Sequence, residues 1–477
     1  MDSDYFVGRR HELEELQALL KKRTASLVVI KGRRRVGKTR LLEEFVKDKK
    51  SFFLRGLAPT NKTTAQDQRN NFSRQLSEVT GLPEIIADDW SKLFALLARE
   101  TKTGRIIIIL DEISWMGSLD PDFISKLKDA WDTFFKKNPK LILILCGSIS
   151  TWIDENIINS TGFYGRISWT ITLNSLPLND ANKLLELQGF KGSAYEKFKI
   201  LSVTGGVPWY IEQMQGAYSA EENIKRQCFN RGGALFDEYD RIFKELFGKK
   251  DDLYKKIVQA LIAGPLEYPE IAEVSEYKSS GRLSSYLEDL IKSGFVTRDY
   301  SWNLKDGKQS ELSHFRLSDN YLRFYLKYVK KKRAQIERGQ FQELSLSSLP
   351  GWDTIMGLQF ENLVVNNKEI LLKKLNIRQE DIIYDNPFWQ RPTSKKKGCQ
   401  IDYLVQTKFK NIYICEVKFS RNEINANVID EVKEKISRLS LPRNTAVLPI
   451  LIHVNEVSKK ITETHYFYEI IDFSDLL

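Results

Sequence analysis

Gly32-Arg33-Arg34-Arg35-Val36-Gly37-Lys38-Thr39 is the stretch on which the reading of this chain turns. It fits the spacing GxxxxGK[ST], and its setting matters as much as its letters. SLVVIKG (26–32) precedes it, an apolar, β-branched run that reads as a buried strand. A helix is expected to open at Lys38 and run to Lys49. Strand, glycine turn and helix N-terminus together make a phosphate cradle. Gly32 and Gly37 let backbone N–H groups turn inward, and Arg35 and Val36 supply two of them. Lys38 neutralises charge on the terminal phosphates, Thr39 offers a hydroxyl to Mg²⁺, and Arg40 follows on the first helical turn. The bland alternative is a glycine-rich turn in a basic loop.

Working outward, SFFLRGL (51–57), RIIIILDE (105–112) and KLILILCGS (140–148) read as further buried strands separated by helical stretches. That alternation predicts a parallel sheet covered on both faces. Asp111 and Glu112 end one apolar run, and a carboxylate there reaches the ligand side of such a sheet. Asp111 is expected to organise Mg²⁺ and Glu112 to polarise the attacking water, with an acidic strand cap as the alternative. Ser148 is a candidate γ-phosphate sensor or, alternatively, a turn cap. Arg166 is a candidate charge-stabilising arginine, supplied within the chain or to a neighbouring copy, or else a surface ion pair.

Composition bounds the rest. A chain of 477 residues implies roughly three domains at about 150 residues each. With 42% hydrophobic and 11% aromatic residues, a mostly disordered chain is excluded. The apolar runs Ile106–Leu110 and Leu141–Cys146 are far too short to span a membrane. The opening MDSDYFVGRR does not read as a secretory leader, and the four cysteines show no CxxC spacing. A cytoplasmic protein without a disulfide framework or membrane partner is therefore expected. The formal charge of +10 permits a polyanionic partner without requiring one.

FVGRRHELEEL (6–16), the phosphate loop, ILDE (109–112), CGS (146–148) and GGVPWY (205–210) occur in that order. The set resembles the archaeal-type ATPases near the STAND branch of the AAA+ class, over roughly residues 1–330. The resemblance implies that Phe6, Val7, Gly8 and Arg9 lie against the nucleotide base. It also implies that Gly206-Val207-Pro208 leads lid helices toward the adenine, and that ATP with Mg²⁺ is the ligand. Three helices over 252–296 and a two-stranded wing read as a winged helix-turn-helix. Its last helix carries Arg282 and Lys292 but also Glu288 and Asp289, and this mixed charge favours a lid role over DNA reading.

The C-terminal block differs again. Asp402 lies in QIDYLV, and NIYICEVKF brings Glu416 and Lys418 to one face of a strand. Glu361 in GLQFENLVV is a further carboxylate. Carboxylates hold Mg²⁺, and a neighbouring lysine orients the water that attacks a phosphodiester. This pattern resembles the PD-(D/E)xK restriction-endonuclease-like fold, with Ile401 where proline often stands. The resemblance implies Asp402, Glu416 and Lys418 as catalytic residues, with Glu361, Asp402 and Glu416 as metal ligands. The bland reading is a pair of salt bridges on an edge strand. Gln390, Lys395, Lys396 and Lys397 are either phosphate contacts or a solvated loop.

The sequence thus predicts an α/β protein with five parts: a P-loop, AAA+-like parallel-sheet core (1–175), a helical lid (176–248), a winged helix (249–330), a linker (331–350) and a nuclease-like α/β domain (351–477). The expected function is an ATP-hydrolysing switch controlling a Mg²⁺-dependent nuclease-like domain that acts on DNA. The STAND likeness implies a defence or mobile-element setting. The alternative is a nucleotide-dependent DNA- or protein-binding scaffold without nuclease activity. A homo-oligomeric remodelling motor sharing Arg166 between copies is a third arrangement.

Overall fold

In a computed structural model, residues 6–60, 62–148, 151–247, 251–275, 281–341, 345–394 and 396–477 are described. The chain divides into two compact units, Met1–Ser175 and Leu176–Leu477.

The first unit is built on five strands: β1 (Ser26–Gly32), β2 (Ser51–Arg55), β3 (Ile106–Asp111), β4 (Leu141–Ser148) and β5 (Ile167–Leu173). All pair in parallel, in the order β2-β3-β4-β1-β5. The unbroken apolar runs follow from this arrangement, because side chains alternate between two covered faces. Leu27, Val29, Ile108, Leu143 and Leu145 go to one core with Phe72, Trp90, Phe94 and Phe123 from three helices. Val28, Ile30, Ile107, Ile109, Ile142 and Ile144 go to the other with Leu16, Leu19, Leu41 and Phe45. In the first core Trp90 meets Phe72 and Phe123 edge-on at 5.4 and 4.8 Å. Parallel pairing puts every strand's C-terminal end on one edge of the sheet, and β4 lies between β1 and β3. The phosphate loop, Ser148 and Asp111 therefore line up along that edge.

The second unit begins with helices Leu178–Leu187, Ala194–Thr204, Pro208–Ile211, Ala220–Cys228 and Glu238–Phe247. Helices Asp251–Ala260, Tyr268–Val274 and Gly281–Lys292 follow, then an antiparallel hairpin of β6 (Val296–Trp302) and β7 (Gln309–Leu317). The first two residues of the expected 279–296 helix lie outside the described residues. Leu283, Leu287 and Leu290 are buried. The final sheet has β8 (Ile382–Gln390), β9 (Cys399–Thr407), β10 (Asn411–Phe419), β11 (Ala446–Val454) and β12 (Glu469–Asp472), in the order β12-β11-β10-β9-β8. The β8-β9-β10 meander is antiparallel, and β10-β11-β12 is parallel. The crossover from β10 to β11 carries the helix Asn427–Arg438.

Two features depart from the sequence expectation. The hairpin does not stand clear as a wing. Trp302 and Leu304 at its tip share a core with Phe388, Ile401, Leu404 and Ile414 of the last sheet. Trp302 stacks on Tyr384 at 4.5 Å, and its indole N–H donates to Gln406 Oε1 at 2.7 Å. The side-chain amide of Gln406 returns a bond to the Leu304 carbonyl at 2.8 Å. A tryptophan at a hairpin tip reads locally as polar-loop punctuation, and only the distant sheet gives it a core. Residues 331–350, expected as a linker, carry the helix Arg333–Glu337 and bury Ile336, Leu346 and Leu349.

Candidate functional site

The phosphate loop leaves β1 at Gly32 and enters the helix Lys38–Val46. A side chain at Gly32 would put its Cβ 2.6 Å from the Leu173 carbonyl oxygen. Arg35 and Gly37 adopt positive φ of 71° and 89°, which turns the loop back on itself. Lys38 is buried, and its ammonium donates to the Gly32 and Arg33 carbonyls at 2.9 and 3.1 Å. Thr39 Oγ1 donates to Asp111 Oδ2 at 3.1 Å, although the two come from different strand–helix units. Asp111 is buried, its second oxygen accepting from the Glu112 backbone N–H at 3.1 Å. Glu112 sits at φ 52°. Gly56 makes room for this turn, since a Cβ there would lie 2.6 Å from the Glu112 carbonyl oxygen. Ser148 Oγ donates to Glu112 Oε1 at 3.4 Å. Burial pushes the Glu112 carboxyl above its usual range, Lys38 opposes this and Asp111 adds to it.

The FVGR element joins the same edge. Gly8 and Arg9 both have positive φ, and the Arg9 guanidinium donates to the Val36 carbonyl at 3.1 Å and to that of Asn174. Phe6 packs on the core shared with Leu41. Arg40 lies on the first turn of the loop's helix, 4.0 Å from Glu43. Pro208 opens its short helix in the second unit after Gly206, whose φ is 77° and whose missing Cβ would meet the Leu176 carbonyl oxygen at 2.4 Å. Arg55, which the sequence reading passed over, ends β2 with Nε 3.5 Å from Asp111 Oδ2. Its only sequence signal is a cation at a strand's C-terminal end.

Arg166 is not at this site. It precedes β5, whose Ile167 pairs with Leu27 at the start of β1, while the loop leaves at Gly32. At roughly 3.3 Å per residue, the steps from Leu27 to Gly32 span about 16 Å, and Arg166 lies one residue further back still. Parallel pairing puts the start of β5 at the opposite edge of the sheet from the loop. There Arg166 grips Asp132 with two bonds of 3.1 and 2.9 Å. This pairing holds the Asp132 carboxyl well below the usual range.

The second constellation lies in the last sheet. The Asp402 carboxylate, on β9, accepts from the Val417 backbone N–H of β10 at 2.8 Å. Glu416 is 1% exposed, yet it has two ammonium partners. Lys418 Nζ lies 3.1 Å from Oε1 and Lys435 Nζ 2.5 Å from Oε2. Lys435 is also 3.8 Å from Asp402, and Lys418 is 2.8 Å from Glu431. The result is an alternating chain: Glu431, Lys418, Glu416, Lys435, Asp402. Burial, then Glu416 and Glu361, push the Asp402 carboxyl well up. Burial works against charge on Lys435, but Asp402 and Glu416 outweigh it and hold its pKa above the ordinary value. Glu361, on the helix Trp352–Asn366, is pushed up by burial against the pull of Arg323 and Lys435.

The structure therefore brings Asp402, Glu416 and Lys418 together as the sequence predicts. Glu361 is close enough to raise the Asp402 carboxyl and to be raised in turn by Glu416, although among the described residues no group of three acidic, His or Cys side chains has the spacing of a metal site. Two residues left open between phosphate contacts and a solvated loop bond to the protein itself. The Gln390 amide donates to the Arg438 carbonyl and accepts from Ser440 N–H, both at 2.8 Å, while Lys396 Nζ donates to the Leu439 carbonyl. Both fasten the end of the helix carrying Lys435. Lys395 lies outside the described residues. Lys435 itself was missed, because only the crossover brings it onto β9 and β10.

A phosphate loop at the end of an interior strand, with Thr39 on Asp111 of a second strand, is the arrangement of a P-loop nucleotide-binding site, and the family match below supports an ATPase. Within that class, residues 6–214 match the family of ATPase domains predominantly from Archaea. Residues 325–429 match a family described as "Archaea bacterial proteins of unknown function". An uncharacterized protein of Methanocaldococcus jannaschii is 26% identical over 421 residues, 87% of each chain. An uncharacterized ATP-binding protein of the same organism is 47% identical over 45 residues, 9% of this chain and 76% of that one. The Walker-type ATPase of Pyrococcus abyssi is similar in fold, with TM-score 0.52 and 17% identity over 67% of this chain and 96% of that one. Among the described residues no helix is long and apolar enough to cross a membrane.

Proposed function

We propose that this protein is an AAA+/STAND-like switch that binds and hydrolyses ATP with Mg²⁺. Its output is a nuclease-like domain acting on DNA. The observation that carries the second half is the convergence of Asp402, Glu416 and Lys418, from two strands, on one enclosed charged centre.

In the first unit Lys38 is poised to exchange its two loop carbonyls for phosphate oxygens. Thr39 and Asp111, already 3.1 Å apart, are the pair that would hold Mg²⁺. Bound Mg²⁺ would neutralise charge between the β- and γ-phosphates. Glu112 would orient the attacking water and accept its proton, and Ser148 would fix the carboxylate for that task. Arg55 would add positive charge at the same edge.

In the second unit Asp402 and Glu416 fit a divalent cation in donor chemistry, since hard cations take carboxylate oxygens. Their present cation is the Lys435 ammonium. Lys418, held by Glu416 and Glu431, would orient the water or the scissile phosphate. Three helices followed by a hairpin support a winged helix-turn-helix, with its hairpin turned onto β8 rather than toward a nucleic acid.

A plasmid-nicking assay with Mg²⁺ or Mn²⁺, with and without ATP, tests this reading. Nicking lost in Glu416→Ala and altered in Lys38→Ala is expected. No nicking under any condition, with ATPase intact, would shift the assignment to a nucleotide-dependent binding scaffold. The observation favouring that second reading is the neutralisation of both carboxylates by lysine.

A further inference from the structure

The alternating chain in the last sheet contains one cation more than the D…ExK pattern requires. Lys435 comes from the helix Asn427–Arg438, one turn beyond Glu431 on the same face. Glu431 meets Lys418 at 2.8 Å while Lys435 meets Glu416 at 2.5 Å and approaches Asp402 at 3.8 Å. This one helix therefore closes over both ends of the centre. Its inner side is anchored by buried Val428, Ile429 and Val432. Its C-terminal end is tied to the β8–β9 connection through Gln390 and Lys396, and Cys399 Sγ donates to the Lys435 carbonyl at 3.4 Å. Lys433, by contrast, is 58% exposed on the outer side, near Asp430.

We infer that the Lys435 ammonium occupies the place between Asp402 and Glu416 that a divalent cation would take. Metal and ammonium then exclude each other, and the helix Asn427–Arg438 acts as a lock on the centre. The inference rests on the nuclease-like reading of Asp402 and Glu416. A divalent cation bridging Asp402 Oδ1 and Glu416 Oε2 would take the very oxygens that Lys435 Nζ faces, and two cations held there would repel each other strongly, whereas Lys418 sits on the other oxygen of Glu416. Lys435 is accordingly a positioning residue whose withdrawal admits the ion.

The test uses the full chain without nucleotide. Mn²⁺ binding is measured by the paramagnetic resonance of the free ion, counting only the sites lost in Glu416→Gln. Lys435→Met is expected to bind Mn²⁺ about tenfold more tightly or better than wild type, the scale on which neighbouring groups tune metal affinity. Equal or weaker binding by a folded Lys435→Met would overturn the inference. A second measurement needs no variant. Reductive methylation of the wild-type chain, read by mass spectrometry, should label Lys435 severalfold faster with Mn²⁺ than without, relative to Lys433. An unchanged or slower rate would overturn the inference even if the variant does not fold. Its fate is separable from that of the nuclease reading. Tighter Mn²⁺ binding without any nicking would leave the lock standing and remove the nuclease. Nicking by wild type with both readouts flat would do the reverse.

Discussion

Lys38 in the first unit directs its ammonium to two carbonyls of its own loop, whereas Lys435 in the second reaches carboxylates on two separate strands. The nucleotide site is mostly backbone: glycines, positive-φ turns and strand ends that parallel pairing brings to one edge. Its lysine donates to two neutral carbonyls of the loop itself. The carboxylate centre is mostly side chain, and its charges already satisfy one another. The difference teaches that the lysine of the first site rests on neutral carbonyls, whereas the carboxylates of the second are balanced by lysines of the same chain.

The comparison is sharpened most by Glu112→Gln. If the nucleotide site is preorganised, removing the proton acceptor should leave nucleotide binding intact. Hydrolysis should fall about 10²–10⁴-fold, the usual contribution of a general base. Steady-state phosphate release and equilibrium nucleotide binding, measured on the same preparation, check this. A parallel loss of binding would mean that Glu112, at φ 52°, holds the loop's geometry rather than the water.

What the sequence disclosed follows the same division. The β1 strand, the loop and the carboxylate at the end of β3 were legible because each is local and its spacing is imposed by covalent geometry. Which alternative Arg166 takes within its own chain was not legible, because residue type alone does not say at which edge of a parallel sheet a strand begins. The ExK pair was legible from the two-residue period of a strand. Lys435, Gln390 and the destination of Trp302 were not, since each is defined by contacts between elements far apart in the chain. Ordinary amphipathic spacing on the Asn427–Arg438 helix gives no hint that one of its lysines faces inward.

Trp302→Ala probes how the second unit is supported. The indole is 3% exposed, stacked on Tyr384, edge-on to Phe388 at 5.0 Å and bonded to Gln406. Truncation should cost about 3–5 kcal/mol, as for large buried aromatics. It would also leave Gln406 without its donor. Urea unfolding followed by circular dichroism reads the loss. A cost below about 1 kcal/mol would show that the hairpin adds little to the sheet carrying Asp402 and Glu416.

Arg166→Ala should be nearly silent. Its partner Asp132 keeps Lys128 and Lys136 at 3.3 and 3.0 Å. Partly exposed pairs of this kind contribute less than about 1 kcal/mol. Hydrolysis per chain should be unchanged at every protein concentration. A large loss of turnover that grows with concentration would mean that Arg166 leaves Asp132 to serve a second copy, and that the nucleotide site is less self-contained than its geometry implies.

The smallest effect concerns His314 on β7, whose ring stacks on Trp389 at 4.2 Å and 19°. Burial lowers its pKa below the ordinary 6.5; Glu267, Glu270 and Asp299 pull the other way, and Arg391 adds to the lowering. The folded chain therefore prefers the neutral ring, and the unfolded chain takes up the proton more readily. By linkage, this contribution to stability is present above the unfolded pKa and lost as pH falls through and below it. Melting temperature measured from about pH 8 down to about pH 5 should decline more steeply in wild type than in His314→Gln. Equal slopes would place the acid sensitivity elsewhere. The Glu112, Glu361 and Asp402 carboxyls, which burial pushes up, contribute with the opposite sign, so the His314 term has to be read from the difference between the two chains.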